Sequence, residues 1–313
     1  MKKVVPVSDQ IVSKLNAQLK PLDSKGKRSK GARPIFIIGL PRSGTTVLEQ
    51  VMLHVFKLGY IDNIAAKFWD APEYGVGLSN SLLPFGERGQ KSFESNFGFI
   101  DDVFGPHEFG YFWKRFFDYG RGHHEVADII TTKQKRQMRD DLDRLVNTFN
   151  KSFVFKNPAV ITLNAELLYN VLPNALFIVI ERDTMEVANS NAEARKQYFG
   201  SLNEWFSGIP KKCAKIAKKG DPFDQLALQT ASYEDNLAHF MATAKGDKRV
   251  YVTNYVSMVS DLDKQMKSVA KFLKAHGVKD HKFLAKVPSD KVTYREKKIT
   301  YRKELEKAFA KIK

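Results

Sequence analysis

Arg42, Ser43, Thr45 and Thr46 fall within one short turn of the chain. Lys156 and Arg182 each close an apolar run, and Ser190 follows Arg182 by eight positions. Guanidinium, ammonium and hydroxyl groups brought to one place hold an anion and stabilise negative charge that grows on it during group transfer. The neighbouring pair His107 and Glu108 adds groups able to move a proton.

The turn that carries Arg42 sits inside PIFIIGLPRSGTTVLEQVMLHVF, residues 34–56. Ile35 to Ile38 form an uninterrupted bulky run, expected of a strand buried on both faces of a parallel sheet. Gly39 breaks it. Val47, Val51 and Val55, with Leu48, then recur at helical spacing behind Thr45 and Thr46, which can satisfy the first helical amides. Strand, turn and helix together aim backbone N–H groups and a helix N-terminus at one spot.

The turn keeps the Gly-x4-Gly frame of a phosphate-binding loop from Gly39 to Gly44, but Thr45 stands where a nucleotide-triphosphate loop has its lysine. Arg42 carries the cation instead. A planar fork in that place suits a short terminal oxyanion better than a triphosphate. PRSGTT after an apolar strand resembles the 5′-phosphosulfate loop of sulfotransferases that use 3′-phosphoadenosine-5′-phosphosulfate (PAPS), especially the branch with tyrosylprotein sulfotransferases and bacterial relatives. The resemblance implies that Pro41, Arg42, Ser43, Gly44, Thr45 and Thr46 bind the cofactor.

Two later units repeat the strand-then-turn pattern. Phe153 to Lys156 ends at Asn157-Pro158, and a lysine closing a buried strand is costly unless it meets an anion. The family has a lysine before such a turn, which implies contact of Lys156 with the sulfuryl group. Leu176 to Ile180 ends at Glu181-Arg182-Asp183, followed by a helix from about Met185 to Tyr198. Arg182 and Ser190 resemble the family's 3′-phosphate ligands, with Thr184 in place of its proline, and Arg195 is a further candidate for that phosphate. Tyr255 and Val259 match a Tyr and Val of another family segment, where Val256 and Ser257 replace acidic residues. Tyr255 thus reads as either an adenine contact or a core residue. Lys297, in the basic C-terminal stretch, is the candidate for a loop closing over the 3′-phosphate.

The general base remains open among three groups. Glu108 comes first, because Phe109, Tyr111 and Phe112 beside it are expected to desolvate it. His107 is second, titrating near neutrality unaided. Asp62 is third.

The remaining stretches are scaffold. Residues 60–122 are rich in Gly and aromatics without a clean period, an insertion expected to form the acceptor side. Val126 to Phe149 reads as one long packing helix. Further helices are expected over 224–243, 261–276 and 302–312, with a strand over 249–253. The fold expected is therefore an α/β domain over 34–313. It has a P-loop-like parallel sheet, helices on both faces and a helical acceptor-side insertion, and residues 1–33 form a basic lead-in.

Composition bounds the partners. With 313 residues, 43% hydrophobic and 27% charged, the chain is long and apolar enough for a large folded core. A net charge of +16 fits a polyanionic ligand, a nucleic acid or an anionic surface. No nucleic-acid motif accompanies it, so weak surface contact through the basic tails is the most it implies there. The single Cys213 excludes an intrachain disulfide and a cysteine-built metal site; with no apolar leader or spanning stretch, a cytoplasmic location is expected. The expected reaction is sulfuryl transfer from PAPS, with no metal, to a hydroxyl or amine on a small molecule, glycan, lipid or peptide. The competing readings are a P-loop phosphotransferase or NTPase and a non-catalytic basic protein binding nucleic acid or a membrane surface.

Overall fold

The computed structural model describes residues 7–20, 31–88, 93, 102–117, 122–292 and 298–312. Five strands, β1 (Pro34–Ile38), β2 (Gly59–Tyr60), β3 (Phe153–Lys156), β4 (Leu176–Glu181) and β5 (Val250–Asn254), form one parallel sheet in the order β2-β3-β1-β4-β5. The helices are α1 (Val7–Gln18), α2 (Thr45–Val55), α3 (Pro72–Leu82), α4 (Gly110–Lys114), α5 (Thr132–Phe149) and α6 (Ala165–Val171). They continue with α7 (Thr184–Phe199), α8 (Pro222–Thr243), α9 (Tyr255–Ser260), α10 (Leu262–Ala275) and α11 (Arg302–Ala310).

The order places β1 at the centre, with β3 on one side and β4 on the other. All five residues of β1 are buried, as its apolar run requires. Chain segments leaving β1, β3 and β4 consequently emerge side by side at the carboxyl edge, where open parallel sheets bind ligands. Strand alternation divides the faces. Phe36 stacks between its register partners Phe155 and Phe177, at ring distances of 5.5 and 5.6 Å, and Trp113 of α4 covers it. The aromatics of the insertion are thus largely core: Phe109, Phe112, Trp113, Phe116 and Phe117 are all buried.

One helix boundary needs correction. The helix expected from Val126 begins only at Thr132, where Thr131 and Gln134 form a reciprocal capping box. Residues 126–131 turn instead, with the Val126 amide donating to Asn164 Oδ1 at 2.9 Å. The basic lead-in contains α1, docked where Asn16 donates to the Lys67 carbonyl and accepts from the Asp70 amide. In the C-terminal stretch, α11 packs on α7 and α8 through Leu305, beside Ala188, Ala192 and Leu226. Among the described residues, no helix is long and apolar enough to cross a membrane.

Candidate functional site

The loop after β1 is built to leave donors open. Gly44 is left-handed, with φ 101°, and a Cβ there would fall 2.4 Å from the Tyr255 ring. Gly39 is equally constrained, since its Cβ would meet Ser43 Oγ at 2.6 Å. The loop is tied at its root by Thr162, which accepts from the Gly39 amide at 3.1 Å and donates to the Gly39 carbonyl at 2.7 Å. The expectation that Thr45 or Thr46 satisfies the first turn of α2 fails: Gly44 is the cap and no side chain bonds there. A first helical turn without a side-chain cap leaves its amides to an external acceptor. Ser43 Oγ is buried and has no hydrogen-bond partner among the described residues.

Four residues named from sequence for the cofactor meet at this loop. Arg42, itself at φ 74°, donates through Nε to Ser190 Oγ at 3.2 Å. Arg182 donates to the Arg42 carbonyl at 3.0 Å and lies over the Tyr255 ring at 4.2 Å. Tyr255 is therefore half-buried between Gly44 and Arg182. Burial, followed by repulsion from Arg182, lowers the Arg42 pKa to about 10. Glu186, one turn along α7, pairs with Arg182 at 2.8 Å. The missing proline at Thr184 does not open the turn, because Asp183 caps α7 by accepting from the Glu186 amide. At the other segment, Asn254 supplies the cap of α9 despite Val256 and Ser257.

The second cluster joins β3 to the insertion. Lys156 is buried at the end of β3, and its ammonium lies 2.8 Å from Glu108 Oε1 and 3.7 Å from Glu49 Oε2. Burial works against that ammonium, but Glu108 and then Glu49 more than offset it, so its pKa is raised. Next along the chain, Asn157 donates to the Glu108 carbonyl at 3.1 Å. Glu49 was not foreseen. It is the one carboxylate of α2 and lies on the helix's buried side, and burial, partly offset by Lys156, lifts its pKa to about 7.

The base candidates separate by their surroundings. The Glu108 carboxylate is partly open to solvent and held by Lys156. Its aromatic neighbours do not enclose it as expected: Phe109 and Phe112 stack on each other in the core, while Tyr111 is exposed against Trp69. His107 Nδ1 accepts from the Phe109 amide at 2.8 Å, which in the neutral ring leaves its proton on Nε2. Desolvation lowers the His107 pKa against the pull of Glu108, with Lys67 and Lys156 adding to the lowering. Asp62 is excluded as a solvent-facing base. It is fully buried, pairs with Arg88 at 2.7 Å, and accepts from Ser79 and from the Ala65 amide.

Arg195 also lies elsewhere. It is fully buried, donating to Gln225 Oε1 at 2.7 Å and the Leu202 carbonyl at 3.2 Å, with its guanidinium over Trp205. Lys297 falls outside the described residues. A cavity of about 630 Å³ between α5, α6 and α8, lined by Lys135, Arg136, Arg139 and Glu166 among others, contains none of these groups.

Among solved structures, a sulfotransferase STF9 from Mycobacterium avium aligns over 90% of this chain and 76% of its own, with 16% identity and a TM-score of 0.47. A sulfotransferase STF1 from Mycobacterium tuberculosis aligns over 97% and 81%, with 15% identity and a TM-score of 0.47. A sulfotransferase domain from the curacin biosynthetic pathway aligns over 91% and 98%, with 13% identity and a TM-score of 0.43. No curated protein sequence matches. The model of the sulfotransferase family matches residues 34–279, from the first residue of β1 past the end of α10, and the chain belongs to that family.

Proposed function

We propose that this sulfotransferase takes its sulfuryl group from PAPS, passes it to a hydroxyl or amine and releases 3′,5′-adenosine diphosphate. The observation that carries the reading is the pair of adjoining clusters at the sheet's carboxyl edge: Arg42, Ser190 and Arg182 around the loop, and Lys156 with Glu108 beside it. The buried, unpartnered Ser43 Oγ and the Gly39 and Gly44 cradle fit an anion in the loop. PAPS supplies an activated sulfuryl group whose leaving group is already a stable phosphate.

The chain's own residues do the rest. Arg182 and Ser190 hold the 3′-phosphate, and Ser43 to Thr46 hold the 5′ end with their amides and hydroxyls. Arg42 and Lys156 neutralise charge growing on the leaving bridging oxygen. Glu108 takes the acceptor proton once Lys156 turns to the cofactor. Residues 34–313 act as the catalytic domain behind the 1–33 lead-in. The acceptor is a small molecule, glycan, lipid or peptide reached from the insertion, and the single, buried Cys213 suits a reducing cytoplasm.

Thermal stabilisation tests this reading against the phosphotransferase alternative. Addition of 3′,5′-adenosine diphosphate at a hundredfold excess over its Kd should stabilise by about 2.7 kcal/mol without magnesium. ATP should do much less, with or without magnesium. Stabilisation by magnesium-ATP alone would replace the proposal with phosphoryl transfer.

A further inference from the structure

Glu49 belongs to no motif described above, and its position is expensive. Its side chain is 3% exposed on α2, one turn after Thr45, flanked by buried Leu48, Val51 and Met52. Burying a carboxylate costs several kcal/mol unless a partner compensates, and an apolar residue of similar volume would suit the helix better. Its one ion-pair partner among the described residues is Lys156. The same ammonium is also paired with Glu108, whose carboxylate is partly open to solvent.

The two carboxylates differ in what the reaction asks of them. Glu108 must lose its negative charge when it accepts the acceptor's proton, and its attraction for Lys156 ends at that moment. Lys156 would then be a buried cation at a strand end, with Arg42 repelling it from the loop. Glu49, a second carboxylate closed to the acceptor, still pairs with that ammonium as it turns from Glu108 to the cofactor. We propose that Glu49 is a positioning residue that holds the Lys156 ammonium at the carboxyl edge of β3 through the transfer step. The inference rests on Lys156 being the sulfuryl-facing cation.

The charged groups acting on Glu49 are Lys156 from β3 and Glu108 from the segment before α4, and those acting on Lys156 also include Arg42. His107 stands beside Glu108 and is kept neutral by desolvation. Because Glu49 has a pKa near 7, its grip is complete above that pH and is lost as pH falls through it.

The test uses the full chain with PAPS saturating. Glu49→Gln should lower kcat at pH 8 by about tenfold or more, as expected for removing one partner of a buried ion pair. It should also abolish the decline of kcat through pH 7, while affinity for 3′,5′-adenosine diphosphate changes less than about threefold. Glu49→Asp, which keeps the charge, should restore the pH decline and part of the rate. Glu49→Leu guards against simple misfolding: it removes the buried charge, should be at least as stable as the wild type, and should be as slow as Glu49→Gln. A Glu49→Leu enzyme with wild-type kcat, or a pH decline unchanged in Glu49→Gln, overturns the inference while leaving the cofactor assignment standing. A wild-type protein that does not bind 3′,5′-adenosine diphosphate overturns both.

Discussion

Arginines in the loop cluster and in the insertion are held by opposite means. In the insertion, Arg88 is matched internally: it donates to Asp62, Ser79 and the Leu83 carbonyl, and its guanidinium lies over the rings of Tyr60, Phe85 and Phe104. Arg144 is likewise matched by Glu73 and Asp141. Around the loop, Arg182 keeps a carboxylate partner in Glu186, yet it lies close enough to Arg42 that burial, followed by repulsion between the two, depresses the Arg42 pKa. Internally matched cations hold a fold together, whereas like charges gathered over uncapped amides make a place that favours an anion.

Breaking the matched pair should give the largest effect. Asp62→Ala leaves Arg88 buried without its counter-charge, and urea unfolding should show a loss of about 3–5 kcal/mol. Nucleotide affinity of the folded fraction should persist, because the loop cluster shares no partner with Asp62. Unchanged stability with abolished turnover would instead make Asp62 catalytic and collapse the comparison.

The cation between the two regions comes next. Lys156→Ala should lower turnover by about a hundredfold or more, about 2.7 kcal/mol in the barrier, with a smaller change in PAPS affinity. Glu108→Gln should keep binding and lose most transfer to a hydroxyl acceptor. Near-normal turnover in Glu108→Gln with a collapse in His107→Asn would exchange the two.

The smallest effect sharpens the loop side. Arg182→Ala removes a charge-assisted contact worth about 1.5–3 kcal/mol, so calorimetry should show 3′,5′-adenosine diphosphate losing most of its advantage over 5′-AMP. Its unfolding free energy should move far less than that of Asp62→Ala. A large destabilisation with selectivity intact would place Arg182 among the structural arginines.

The loop side was legible in sequence because its elements are local. The apolar runs of β1, β3 and β4 end at Arg42, Lys156 and Arg182 with few residues intervening, and parallel sheets align such ends without further information. Arg195 misled because its spacing from Ser190 is wrong for one helix face: five residues turn about 140° around the axis, which sends it to α8 and Gln225. Asp62 misled for a different reason. Its partner Arg88 is distant in sequence, and β2 is too short to show a strand pattern. Glu49 was hidden by the apolar period of its own helix, although a lone carboxylate among Leu48, Val51 and Met52 is itself a signal. Thr162, which ties the loop root, left none.

The grip on Glu108 separates two traits that enzymes often entangle. Consecutive residues of one segment, Lys156 and Asn157, take its carboxylate and its carbonyl. The seat of the proposed proton acceptor is therefore inherited from the sheet, even though Glu108 itself travels with the insertion. A foreign insertion grafted between β2 and α5 would bring its own preference for what is sulfated, and would find its glutamate docked by the host strand. On the proposed reading, acceptor choice would be an interchangeable part, while the lysine and asparagine that seat the base stay behind with the strand.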